Sequence, residues 1–243
     1  TSASWKTSAV FRDPSAWYHV VCVVDTTSST TTITNTSTDR IRLYVNNVQQ
    51  TLSGGTVPTQ NSDLQVNNTV SHTIGGYSSE YFDGYMTEIN FIDGQALTPS
   101  SFGSTNALTG VWQPAKYTGT YGTNGFYLNF SDNSNTTATT LGKDYSGNGN
   151  NWTPNNISLA AGVTYDSMTD VPTLTSATAA NFAVLNPLDK YSGISVTSGN
   201  LDAICSDVAW RSGAATFGSF TTGKWYYEVV ASIIGGSTYI SAG

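Results

Sequence analysis

At 243 residues and a formal charge of −7, the chain is long enough for one large all-β domain or two smaller ones. Charged residues are only 10%, against roughly 25% in an average globular domain, yet hydrophobic residues reach 38% and aromatics 12%, which excludes a disordered chain. The acidic balance argues against a nucleic-acid binder or an anionic-lipid binder, both of which need clustered Lys and Arg, and no apolar run approaches the length of a membrane span.

Strand signals recur at short spacing and helix signals are nearly absent. WYHVVCVVD (17–25) is a β-branched and aromatic run with apolar residues on both faces, the pattern of a central sandwich strand. Cys22 lies inside it and reads as a buried small hydrophobe. Cys205 is far away in sequence, so the two cysteines make no disulfide framework. Residues 26–38 are a Thr/Ser tract read as a loop or a ragged hairpin arm. DRIRLYVNNVQQT (39–51) alternates cleanly, with Ile41, Leu43 and Val45 on one face and Arg40, Arg42 and Tyr44 on the other. Asn46 and Asn47 then occupy the two central positions of a type I′ hairpin turn, which require positive φ.

HTIGGY (72–77) reads as a short strand ending in glycines. EYFDGYMTEINFIDGQALTPSSFG (80–103) reads as a strand, a turn and a short helical or 3₁₀ tail, with Thr98 as N-cap and Pro99 at the first position. Met86 is out of phase with Ile89 and Phe91, which a bulge near Thr87 would repair. Residues 104–124 read as a connector. GFYLNF (125–130), FAVLN (182–186), GISV (193–196), LDAIC (201–205) and KWYYEVV (224–230) are the remaining strand signals. The expected architecture is all-β, with tandem antiparallel sandwich units at 1–115 and 116–243. A start at Thr1 rather than Met suggests an internal segment of a longer protein.

Four segments in order, AWYHVVCVVD, RIRLYVNNVQ, IGGY and YFDGYMTEINFIDGQALTPSSFG, resemble the second half of a laminin-G-like or concanavalin-A-like jelly roll over residues 10–103. Asn47 stands where that family usually has Gly, and the family's N-terminal strands have no counterpart. TTGKWYYEVV resembles the opening strand of a SPRY sandwich. The arrangement is similar to structural proteins of marine tailed phages. The resemblance implies a virion fibre or appendage protein exposed on the particle, a homo-oligomer contacting other virion proteins and host-surface glycans.

KDYSGNGNNW (143–152) is the densest cluster of turn residues in the chain. As a phosphate cradle it lacks a third glycine and a following helix. As a calcium loop it offers Asp144, Ser146 and Asn148, but Asn155 stands where a bidentate Glu is needed, so any Ca²⁺ site would be weak. As a structural turn, Asn and Gly supply left-handed conformations, Asp144 or Ser146 caps backbone N–H groups, and Trp152 begins the next packed strand; a sugar-contacting loop is the fourth reading.

Glycosidase chemistry needs two carboxylates flanking one bond. Glu80, Asp83 and Glu88 are the candidates, but Asp83 and Glu88 are five apart and face opposite ways in a regular strand. His19 and His72 show neither zinc spacing nor a catalytic-triad order, and His19 reads as a structural core histidine. No catalytic residue is assigned. The aromatic residues Tyr77, Tyr81, Tyr85, Trp112, Tyr117 and Tyr121 are the candidate glycan contacts. The resulting expectation is a non-enzymatic adhesion protein. A polysaccharide hydrolase or lyase with catalytic residues elsewhere, and a purely architectural capsid or tail protein, stand as alternatives.

Overall fold

The computed structural model describes residues 4–13, 16–108, 110–162, 164–168, 184–205, 212–215 and 229–230. Among these residues there is no α-helix, and the protein is all-β, built from several small antiparallel sheets. Strands β1 (Trp5–Thr7), β2 (Val20–Val24), β3 (Ile41–Val45), β4 (Val48–Gln49) and β5 (Leu52–Gly54) come first. β2, β3 and β4 form a three-stranded sheet in that order, and β1 pairs with β5. The β3–β4 turn is as expected, because Asn46 and Asn47 both have positive φ, 47° and 69°, and Val45 pairs with Val48.

Two features of this sheet differ from the sequence reading. β2 carries an apolar pattern on both faces yet lies at the edge of the sheet among the described residues. Cys22, expected to be buried, is exposed. Its thiol is nonetheless pushed up by burial, because it lines a concavity rather than a convex surface. On β3, the polar face is the better-buried one: Arg42 and Tyr44 are buried, while on the apolar face Ile41 and Leu43 are half-buried and only Val45 is buried. Arg40 donates from Nε to Ser28 O at 2.7 Å and from Nη1 to Pro58 O at 2.6 Å, and Arg42 Nη1 donates to Ser37 O and Asp39 O. Backbone carbonyls of two loops thus replace the water that Arg40 and the Arg42 Nη1 lose, while Arg42 Nε is buried without a partner among the described residues. Asp39, fully buried, holds the intervening turn by accepting from the backbone N–H of Thr34 and Thr36.

Further along come β6 (Gly76–Tyr77), β7 (Glu80–Tyr81), β8 (Ile89–Phe91), β9 (Gly103–Thr105), β10 (Trp112–Pro114) and β11 (Phe126–Leu128). β6 pairs with β7, β9 with β10 and β8 with β11. The strand expected over 72–77 is confined to its last two residues. The 3₁₀ turn Pro99–Ser101 is present after an extended Thr98, although the Thr98 side chain makes no cap bond. The out-of-phase Met86 is accommodated at Glu88, whose φ of 52° turns the chain before β8. The segment read as a connector contains the β9–β10 hairpin.

β8 and β11 lie on either side of residue 115, the expected unit boundary, and pair directly, Phe91 opposite Phe126 and Ile89 opposite Leu128. All three residues of β11 are buried, and Leu128 is 1% exposed. β12 (Leu185–Lys190), β13 (Ile194–Thr197), β14 (Asp202–Cys205) and β15 (Gly213–Ala215) complete the described strands, paired β12–β15 and β13–β14. Of the strand signal at 224–230, residues 224–228 lie outside the described residues.

Candidate functional site

The structure separates the six candidate aromatic residues into two groups. Tyr77 and Tyr81 sit on the β6–β7 hairpin, whose turn is Ser78 and Ser79. They are 72% and 77% exposed. Tyr77 is paired with Glu80 and Tyr81 with Gly76, so the two rings project from opposite faces of the hairpin. The Tyr81 ring lies over Gly76, where a Cβ would meet Cδ1 at 3.4 Å. The adjoining Phe82 is also exposed, and its N–H extends the hairpin by bonding Gly75 O at 2.8 Å. Sequence reasoning passed over Phe82, although its place in the run EYFDGY carried the same signal. Tyr85 is less exposed, and burial together with the Asp166 charge pushes its phenol up.

Trp112, Tyr117 and Tyr121 are internal packing residues. Phe102, Tyr117, Tyr121 and Tyr127 form a continuous ladder with centroid separations of 5.1, 5.2 and 6.3 Å. Tyr117 donates to Thr120 O and Tyr121 donates to Asn90 Oδ1. Burial, then the neighbouring Tyr117, Glu88 and Asp144, push Tyr121 up to about 12. Tyr127 donates to Glu88 Oε2 at 2.6 Å, and burial followed by that carboxylate raises its phenol further. Glu88 therefore serves the ladder, while Glu80 and Asp83 stand exposed near the hairpin.

Trp112 packs on His19 with ring centroids 5.7 Å apart, and its indole N–H donates to His19 Nδ1 at 3.1 Å. An indole is a donor only, so His19 is neutral with its proton on Nε2. Burial holds its pKa below the ordinary 6.5. The unfolded chain therefore takes up the proton first, and stability declines as pH falls from about 6.5 toward the lower folded-state value. The melting temperature is expected to drop between pH 7.5 and pH 5.5, with loss of the Trp112 near-ultraviolet signal. His19→Gln should flatten that part of the profile, and an unchanged slope would refute the assignment.

The 143–152 loop is organised by Asp144. Oδ1 accepts from the N–H of Tyr127 and of Ser146, both at 2.8 Å. Oδ2 accepts from Ser146 Oγ at 2.8 Å and Asn150 N at 2.9 Å. Burial alone would raise this carboxyl, but the bonds from Tyr127, Ser146 and Asn150 outweigh it and hold it below the usual carboxylate range. Asn148 Nδ2 donates to Gly122 O and Gly125 O, and Asn150 Nδ2 to Thr123 O and Gly125 O. Trp152 closes the loop, 4.9 Å from Phe126, and its N–H reaches Gly142 O, an approach that leaves no room for a Cβ at Gly142. A cation at Asp144, Ser146 and Asn148 would compete with four protein donors already on the carboxylate. No group of three or more His, Cys, Asp or Glu among the described residues is placed to hold a metal ion.

No protein-family model matches this chain, and neither a curated protein nor a solved structure matches it.

Proposed function

We propose that this chain is a non-enzymatic adhesion module of β-sandwich type that presents the β6–β7 hairpin to surface glycans. The observation that carries this is the exposure of Tyr77 and Tyr81 on a short, polar-tipped hairpin. Each ring offers a flat apolar face for the C–H side of a sugar, while Ser78, Ser79 and Glu80 supply hydroxyl and carboxylate partners for its hydroxyls. A single ring contact of this kind is worth about 1 kcal/mol, so useful affinity comes from repeated copies acting together. The laminin-G-like resemblance supports placing the module in an oligomeric phage fibre or appendage, beside other virion proteins and facing the host.

The test is glycan-array binding by the intact oligomer. Tyr77→Ala and Tyr81→Ala should each weaken binding roughly fivefold per site, from about 1 kcal/mol, with circular dichroism unchanged. Wild-type oligomer that binds no glycan, with Tyr77 and Tyr81 covered at subunit contacts, would instead establish the architectural role.

A further inference from the structure

A groove of about 2930 Å³ runs between two strands that are each paired on one side only among the described residues. All five residues of β2 line it but only Val45 of β3 does. All three residues of β8 line it but only Tyr127 of β11 does. The groove therefore lies against the open edges of β2 and β8. Asn46 N bonds His19 O, and Asp25 N bonds Arg40 O. In an antiparallel ladder these mark the bonded pairs, so the N–H and C=O of Val20, Cys22 and Val24 face away from β3. On β8, Tyr127 uses its N–H on Asp144 and its C=O on Tyr145, which turns the backbone groups of Asn90 outward as well. These outward groups have no partner among the described residues.

Two further features define what would fit. Val20, Cys22 and Val24 expose apolar side chains along the β2 edge, which favour apolar cross-strand neighbours. The lining also carries Asp13, Asp25, Asp63, Asp83, Glu88 and Asp93 against two cations, Arg12 and Lys116. A second copy of this chain, itself at −7, would bring like charge to an acidic groove.

We propose that the groove is a strand-acceptor site for an extended segment of a different polypeptide, apolar at alternate positions and flanked by Lys or Arg. Main-chain bonds to β2 supply the affinity, and the acidic lining selects the basic partner. The five residues of β2 span roughly 17 Å, enough to register a segment of similar length.

The test uses Cys22 as reporter in a Cys205→Ser background, since Cys205 is also exposed. The probe is a twelve-residue synthetic peptide with alternating Val and Thr and two Lys at each end. Saturating peptide should slow modification of Cys22 by a thiol reagent at least tenfold, while the same core with Glu at its ends should not. Val24→Pro removes one outward N–H without removing a β2–β3 bond, and it should abolish the protection. Val20→Lys, which repels the probe, should do the same if the proline variant fails to fold. Three results would overturn the proposal: no protection by the Lys-flanked peptide, equal protection by both peptides, or protection without peptide that rises with protein concentration as a dimer forms.

Discussion

Asp144→Ala is expected to lower the free energy of unfolding by roughly 2–5 kcal/mol, read as a shift in urea midpoint at unchanged slope. The carboxylate is the acceptor for two backbone N–H groups outside its own turn, Tyr127 N and Asn150 N, and for both donors of Ser146. Alanine leaves those groups without an acceptor, and each buried orphan costs about 1–3 kcal/mol. Against a whole-domain stability of about 5–15 kcal/mol, that is a large fraction. Asn150 and Asn148 hold the carbonyls of residues 122–125 from the same loop, so the damage reaches the approach to β11. Asp144→Asn retains one acceptor oxygen and should fall between wild type and Ala.

The same residue sets an acid limit. Its folded-state pKa lies below the ordinary 3.8, so its stabilisation is present above that value and is lost as pH falls through the lower one. Asp144→Asn should therefore lose less stability than wild type on acidification below about pH 4. An Asp144→Ala midpoint indistinguishable from wild type would sink the hub assignment. A rise in wild-type midpoint with millimolar Ca²⁺, abolished in Asp144→Asn, would show instead that the loop holds a cation.

Leu128→Ala should cost about 2–5 kcal/mol, the range for a fully buried leucine that leaves a cavity. Leu128 is the most completely buried hydrophobic side chain described, on a strand whose three residues are all buried. It faces Ile89 across the β8–β11 pair and follows Tyr127, the residue tied to Asp144. Leu128→Met, which conserves volume, should stay under about 1.5 kcal/mol. Because Leu128 and Asp144 support the same strand, the double variant should be less destabilised than the sum of the single variants. Hydrogen exchange at β8 and β11 should accelerate together in Leu128→Ala. Exchange confined to β11 would show that the pairing across residue 115 contributes nothing to stability.

Local chemistry made several elements legible in advance. Asn46-Asn47 between alternating runs specified the hairpin turn because few other residue pairs accept two positive φ values. Pro99 following Thr98 marked a short helical or 3₁₀ tail, which the structure forms as 3₁₀ without a Thr98 side-chain cap. The Gly and Asn content of 143–152 marked a turn and left its cap between Asp144 and Ser146; Asp144 takes three backbone N–H groups and Ser146 Oγ takes that of Asn148. The separation of the aromatics was not legible: Tyr77 and Tyr121 look alike as residues. Tyr121 is half-buried because Tyr117 and Tyr127 flank it in the ladder and two residues distant in sequence complete its surroundings: Phe102 packs behind Tyr117, and Asn90 of β8 accepts a bond from its hydroxyl.

The sequence by itself determined the all-β class, the strand period and the positions of the tight turns, since these follow from side-chain branching, alternation and positive-φ tolerance within a few residues. Only the tertiary structure decided which face of β3 is inside and which strands end as edges. Arg40 and Arg42 can be buried because carbonyls from residues 28, 37, 39 and 58 converge on them. β2, apolar enough for a sheet centre, borders an open groove because no described strand pairs with its second edge. Burial and edge exposure are set by what arrives from elsewhere in the chain, and alternation along one strand carries no record of that.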